Sequence, residues 1–364
     1  MSAVAGTEVF EAERSRLTGL AYRMLGTLSD AEDVVQQAWL RWSEAEQSEI
    51  ANPAAWLTTV VSRLAIDRLR QQQRRREEYV GPWLPEPLAT PAAGPSPDAT
   101  DPEHAAELAD SVTFGFLVLL DRLSPVERAV FVLSEVFGEP HTAIAEVIGK
   151  TPAATRQIAS RARRRIREQR ADRRPADEGL LAELVGALAE GAVERVLSLM
   201  SPEVVLTSDG GPARRAARRP IVGADRVTRF ILNLSARTPL DAQITMESVN
   251  GAAALVIRSE ELSLVMNADT SPDGERLDAI RLVLNPDKLG GLDPRSTSPD
   301  AAGTGRPTTE DGTPSGRPVR RAVARRPAQY LRVGSVPAGR LMVFDSRYSS
   351  RPSGPSSRPT PELL

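Results

Sequence analysis

The chain has 364 residues, enough for two or three domains with separate cores, and 46 Lys+Arg against 48 Asp+Glu leave a formal net charge of −2. That balance excludes a globally basic nucleic-acid binder and confines any such role to local patches. With no Cys and only two His, the sequence also excludes disulfides, thiolate metal sites and His-based metal clusters or triads.

The first segment, "MSAVAGTEVFEAERSR", carries acids where a leader needs bases and an apolar core. The longest apolar stretch, "FGFLVLL" at 114–120, falls far short of the ~20 residues that span a bilayer. A soluble cytoplasmic protein without membrane contact is expected. Residues 8–78 read as helices. "LSDAEDVVQQAWLRW" opens one, with Ser29 expected as N-cap and Glu32 as its capping-box partner. Val35, Trp39 and Trp42 share its apolar face, and Asp30, Glu32 and Asp33 sit in its first turn, where the helix dipole favours acids. "NPAAWLTTVVSRLAIDRLR" opens another, capped by Asn52 with Pro53 at the first helical position. Leu57, Val61 and Leu64 form its buried stripe. Trp56, Val60, Arg63 and Asp67 form a second stripe able to meet a ligand.

Residues 79–104 read as a linker rich in Pro, Ala and Asp, yet "YVGPWLPEPL" within it is apolar and braced by prolines. Such a segment is cheap to order and offers handles to whatever grips it. Helical patterning resumes over 105–172. Ser124-Pro125 with Glu127 has capping-box spacing, a short helix spans about 141–149, Gly149 closes it, and Thr151-Pro152 opens the next. Two short helices around a Gly-containing turn, the second ending in "RQIASRARRRIREQR", describe a helix-turn-helix. Thr155, Arg156, Gln157 and Ser160 are placed to meet base edges, and Arg161, Arg163, Arg164 and Arg165 phosphates. Residues 177–289 shift to two short helices and alternating apolar runs, an α+β pattern. From 293 to 364 Pro, Ser, Thr, Gly and Arg dominate, and a disordered tail is expected.

Together these motifs resemble the extracytoplasmic-function (ECF) group of sigma-70-type transcription initiation factors. "DAEDVVQQAWLRW" is similar to the polymerase-binding helix of region 2, "AWLTTVVSRLAIDRLRQQQRRR" to the helix that reads and opens the −10 element, and the helix-turn-helix to region 4, which reads the −35 element. Residues 177–289 resemble the cone-shaped SnoaL-like (NTF2-like) domain fused to one set of these factors. That set carries a "WLPEP" linker element, here Trp83, Leu84, Pro85, Glu86 and Pro87, and an "NPDKL" motif, here Asn285, Pro286, Asp287, Lys288 and Leu289. A third motif, "DGGGK", is kept only as Asp209-Gly210-Gly211, with Pro212 next and no Lys. Ala143 also replaces the usual acid in the first helix of the helix-turn-helix.

The resemblance implies two all-α sigma domains (8–78 and 105–172), the linker, the α+β domain and the tail. Core RNA polymerase and promoter DNA are the implied partners, with no cofactor, no metal and no catalytic step. Core polymerase falls to Asp30, Glu32, Asp33, Gln36, Gln37 and Leu40. The −10 element falls to Arg63, Asp67, Arg68, Arg70 and Trp56, the last open to a core role or to base stacking. The fused domain, standing in for a separate anti-sigma factor, would hold the linker through Asp209, Gly210 and "NPDKL". A pocket in that domain could take a small effector, and a monomer is expected when the chain is free. Two rivals are a stand-alone helix-turn-helix regulator and a cyclase-like enzyme. The latter would rest on carboxylates such as Asp209, Asp225 or Asp241, since the α+β segment has no His.

Overall fold

A computed structural model describes residues 3–76, 79–90, 113–170 and 174–292 of the protein. The tail at 293–364, the linker beyond Thr90 and residues 105–112, where helical patterning was expected to resume, lie outside the described residues. Helices α1 (Ala3–Leu25), α2 (Leu28–Glu44) and α3 (Pro53–Arg76) form the first bundle. Its core holds Phe10, Leu17, Val35, Trp42, Leu57, Val61 and Leu64. Asn52 caps α3 by accepting from the Ala55 amide at 3.1 Å. The expected cap of α2 moves, because the N-cap is Thr27 and not Ser29. Thr27 Oγ1 donates to Asp30 at 2.7 Å, and the helix is entered two residues earlier than the capping-box spacing suggests.

The second bundle comprises α4 (Phe114–Leu120), α5 (Pro125–Phe131) running into a π-helical turn (Val132–Val136), α6 (His141–Ile148) and α7 (Pro152–Arg170). Ser124 and Glu127 form a complete capping box on α5. Gly149 closes α6 in the left-handed region at φ 65°, where a side chain would be strained. Thr151 caps α7 by accepting from the Ala154 amide at 3.2 Å. The two bundles share one apolar core, in which Leu20 and Leu69 join Leu117, Val130 and Ile158.

The last unit is a mixed seven-stranded sheet backed by helices α8 (Glu178–Glu190), α9 (Val193–Ser198) and α10 (Ala224–Ser235). Strands β2 (Met200–Asp209), β3 (Ile221–Val222), β4 (Gln243–Val249), β5 (Ala252–Arg258), β6 (Ser263–Thr270) and β7 (Leu277–Val283) run in the order β3-β2-β7-β6-β5-β4. A two-residue strand β1 (Arg174–Pro175) pairs with β6, so the sheet begins three residues before the boundary expected at 177. One face, bearing Leu206, Met266, Ile280 and Leu282, closes over the helices with Leu181, Leu184 and Val196. Strand alternation sends Asp209, Val265, Asn267, Asp269, Arg281 and Val283 to the other face. All six are buried there, so a second layer lies on that face. The layer is built by the linker, α4 and the segment ending at Leu292: Leu84 and Phe114 form one cluster with Val283, Gly115 packs on the Asp269 carboxylate, and Leu292 joins Val265.

Candidate functional site

The linker meets the α+β domain at the end of β2. Asp209, 1 % exposed, accepts four hydrogen bonds: from the Tyr79 hydroxyl (2.6 Å), the Leu84 amide (2.9 Å), the Gly211 amide (3.0 Å) and Lys288 Nζ (2.7 Å). A buried carboxylate is tolerable only with such compensation. Lys288, itself buried, also donates to the Leu84 carbonyl at 2.6 Å and lies 4.0 Å from the Trp83 ring centre and 5.3 Å from that of Tyr79. Its ammonium is therefore neutralised by one carboxylate and faced by two aromatic rings.

The "NPDKL" segment builds this arrangement locally. Asn285 caps the 3-10 turn Pro286–Lys288 by accepting from the Asp287 amide at 3.2 Å, and its Nδ2 donates to the Tyr79 hydroxyl at 3.0 Å. Pro286 and Asp287 face solvent and shape the turn, while Leu289 joins the Leu84–Phe114–Val283 cluster. The two glycines after Asp209 are sterically required. A Cβ on Gly210 would lie 2.4 Å from the Arg214 carbonyl, and one on Gly211 would lie 2.6 Å from the Asn285 side chain. Burial, reinforced by the Asp209 carboxylate, pushes the Tyr79 hydroxyl above its ordinary value, so it stays a donor.

The other side of the linker grips the first bundle where α1 ends. Glu86 N donates to the Gly26 carbonyl at 2.7 Å, the Leu28 amide donates to the Glu86 carboxylate at 2.8 Å, and the Tyr22 hydroxyl donates to the Glu86 carbonyl at 2.6 Å. Pro85 is buried between these contacts. Trp83 lies against Gly26, where an added Cβ would be 2.8 Å from the indole. Asn250, at the two-residue turn joining β4 to β5, donates to the Tyr22 hydroxyl at 2.7 Å and accepts from the Leu88 amide at 3.1 Å. Beyond it the linker adds to the edge strand β4: Ala89 bridges Val249, and the Thr90 amide donates to the Ser248 carbonyl at 3.0 Å. The second bundle reaches the same corner through Arg128, 1 % exposed, which donates twice to the Arg23 carbonyl and pairs with Asp121 at 3.0 Å. Linker, both helical bundles and sheet thus converge on residues 22–28.

The expected polymerase-binding residues Glu32, Asp33, Gln36, Gln37 and Leu40 are exposed on α2. Glu32, Gln36 and Trp39 line a groove of about 380 Å³ with Arg14 and Thr18 of α1. Asp30 is instead drawn into ties with α3. Burial alone would raise its carboxyl, but bonds from Thr27, Arg68 and Gln72 outweigh that and hold it below the usual range. Arg68 bonds Asp30 at 2.7 Å and lies 3.4 Å from Asp33. On the same α3, Arg70 pairs with Asp67, while Arg63 donates to the Glu146 and Val147 carbonyls at the end of α6. Trp56 is half-buried against Trp42, ring centres 5.5 Å apart, and also lines a cavity of about 490 Å³ with Glu46, Glu49, Ile50 and Asn52. Core and open-face roles therefore coexist in that one side chain.

On α7, Arg156, Gln157, Ser160, Arg161 and Arg164 are exposed. Thr155 corrects the expectation: it is fully buried, and its hydroxyl donates to the Thr151 carbonyl at 3.0 Å, so it cannot reach a base edge. Position 155 shares a face with the core residues Ile158, Ala159 and Ala162, a periodicity that outranked its place early in the helix. Arg163 pairs with Glu135 and Arg165 with Glu127, which fixes the helix on its own bundle.

The sigma-70 region 2 family model matches residues 9–75, and the sigma-70 region 4 model matches residues 115–166. The ECF RNA polymerase sigma factor SigJ of Mycobacterium tuberculosis is 40 % identical over 316 residues, 82 % of this chain and 97 % of that protein. The chain is an ECF sigma factor. The probable ECF sigma factor SigI of the same species is 37 % identical over 227 residues, 61 % of this chain and 74 % of its own length. The crystal structure of SigJ superposes with a TM-score of 0.59 at 38 % identity, over 78 % of this chain and 98 % of that one. This sigma factor therefore binds core RNA polymerase and promoter DNA and directs promoter-specific initiation, and sigma factors of its family are not enzymes.

The sequence reading of this sigma factor missed Asn250, Tyr22, Gly26 and Arg128. Only Asn250 had a local signal: Asn-Gly between two alternating runs marks a two-residue hairpin turn. That signal predicts the turn and says nothing of its grip on a linker about 160 residues away, a pairing that hydrogen bonds at separations of 162 and 161 residues establish.

Proposed function

We propose that the α+β domain regulates this sigma factor in cis by clasping the linker, with Asp209 as the central acceptor and Lys288 as its counter-ion. The observation that carries the reading is the Asp209 carboxylate, whose donors come from the linker (Tyr79, Leu84), from its own turn (Gly211) and from "NPDKL" (Lys288). While it holds, the linker is pinned between sheet and α1, and the two DNA-reading bundles share one core. In polymerase the linker must thread the enzyme, so the clasped form and the promoter-engaged form exclude each other. The residues assigned to function are those exposed on α2 (Glu32, Asp33, Gln36, Gln37, Leu40) for polymerase, the α3 face with Trp56 for −10 DNA, and Arg156, Gln157, Ser160, Arg161 and Arg164 for −35 DNA.

The α+β domain performs no chemistry of its own in this reading. Asp209 is consumed by structural bonds, Asp225 lies in the first turn of α10, and Asp241 accepts from the Glu260 amide. The test is reconstituted transcription with core polymerase and a promoter library. Asp209→Ala is expected to initiate at lower sigma concentration than the wild type. Equal activity of the two proteins would refute regulation by the clasp, and initiation by neither would refute the sigma assignment itself.

A further inference from the structure

Directly after Asp209 the chain runs "GGPARRAARRP", and between Asp209 and Asp225 it contains no acidic residue. Arg214, Arg215, Arg218 and Arg219 are all exposed on this loop. None of the four makes an ion pair or side-chain hydrogen bond among the described residues. In a chain of net charge −2, four unpaired guanidinium groups within six residues form a concentrated positive patch.

The loop is not a loose solvated run. The Arg214 amide donates to the Gly210 carbonyl at 3.0 Å, the Ala217 amide to Ser208 Oγ at 2.8 Å, and Ile221 and Val222 pair with β2. Backbone bonds thus hold the arginines together against mutual repulsion, which acts over a screening length of ~8 Å at physiological salt. The position is informative too. Arg218 backbone packs on Gly81, with 3.5 Å between the Arg218 Cα and a Cβ built on Gly81. Gly81 is five residues past the end of α3, at most roughly 17 Å of chain. Near that end, exposed Arg74 is a further cation with no ion pair or side-chain hydrogen bond among the described residues.

We propose that the arginine loop is a phosphate-binding surface for duplex DNA, engaged while the linker is still clasped and before α3 takes up its own element. The inference rests on the promoter-reading role of this chain. The geometry suits a duplex, because patch and helix end lie within the ~34 Å of one helical turn. The chemistry suits phosphate, since guanidinium binds it bidentately and unpaired arginines are free to do so. These contacts carry no sequence information; they anchor the fused domain and set register.

The test measures binding of the full chain to a labelled duplex of unrelated sequence, titrated between roughly 50 and 200 mM salt. Each phosphate neutralised contributes about 0.9 to the slope of log K against log salt. R214A/R215A/R218A/R219A is expected to lower the slope by about 3.6 and the affinity by roughly 100-fold or more at 100 mM salt, with unchanged thermal unfolding. An unchanged slope overturns the proposal, as does tighter binding of single-stranded RNA of equal length through the same arginines. Capture of core polymerase, measured in parallel, separates this idea from the reading beneath it. A wild-type chain that fails to bind polymerase defeats the sigma role, whereas normal capture with a flat slope defeats the loop alone.

Discussion

The two helices proposed to read DNA, α3 and α7, are both rich in arginine, but the structure treats them differently. On α3 three guanidiniums are spent on the protein itself, Arg63 on carbonyls at the end of α6, Arg68 on Asp30 and Arg70 on Asp67, while Arg74 near its end makes no ion pair or side-chain hydrogen bond among the described residues. On α7 Arg163 and Arg165 pair with Glu135 and Glu127, whereas Arg156 is exposed with no ion pair or side-chain hydrogen bond among the described residues and Arg161 is exposed with only the Glu127 charge near it. The carbonyl end of a helix carries partial negative charge, so α6 offers Arg63 a substitute for a phosphate. In the proposed clasped form the helix assigned to the −10 element is thus tied to other elements of the chain, while Arg156 and Arg161 of the helix assigned to the −35 element stay exposed.

That contrast can be broken most strongly at the clasp. Asp209→Ala leaves the Lys288 ammonium buried without its carboxylate, a loss of about 3–5 kcal/mol to the closed form. Limited proteolysis is expected to cut within 79–90 in the variant and to spare the wild type; equal protection would show that the clasp is not what holds the linker. A smaller effect sharpens the α7 side. Arg156→Ala is expected to cost about 1–3 kcal/mol at one base position of a −35 duplex, while Thr155→Ser leaves specificity unchanged because that hydroxyl is internal. A uniform loss across all sequences would move Arg156 to the phosphates.

Arg63→Ala tests the α3 side. The exposed Arg63 loses its tie to α6 at a cost of about 1 kcal/mol, read as a wider separation of fluorophores placed on α3 and α6. An unchanged distance would make the tie incidental. The smallest effect concerns pH. Burial chiefly, then the nearby Glu32 and Asp30 charges, raises the Glu86 carboxyl against the bond it accepts from the Leu28 amide. A carboxyl raised by docking favours the docked linker fully below its free value near 4.5 and loses that contribution as pH rises through the raised value. Glu86→Gln, neutral throughout, is expected to abolish this dependence of linker protection and to tighten the linker at neutral pH. A variant that keeps the wild-type pH profile would remove Glu86 from the account.

Local signals in the sequence located most of the helices. Asn52 and Pro53 start α3, Ser124 and Glu127 start α5, and Gly149 ends α6, because each acts on backbone groups within four residues. The same locality misplaced the cap of α2, where Thr27 and Ser29 both offer a hydroxyl and only the bond to Asp30 decides. Part of the site was legible as well: Trp83, Leu84, Asp209 and Lys288 were all expected to mediate linker contact, and they meet. Thr155 was misread because its position along α7 was weighed without the face it shares with Ile158 and Ala162.

By itself, then, the sequence determined the order of the units, the helix caps, the helix-turn-helix and the identity of the segments that meet. The tertiary structure alone decided which arginines are occupied, which carboxylate is buried and where the linker turns. The reason is the range of the interactions. Asp209 meets Leu84 across 125 residues, Lys288 meets Leu84 across 204 and Asn250 meets Tyr22 across 228, through groups in an ordinary helix, strand end and turns. One strand hinted at the outcome: β6, "SLVMNADT", is buried on both faces, which a sheet with helices on one side does not need. That double burial called for a second layer, and only the folded chain shows that α4, at Asp269, and the segment 289–292, at Val265, provide it.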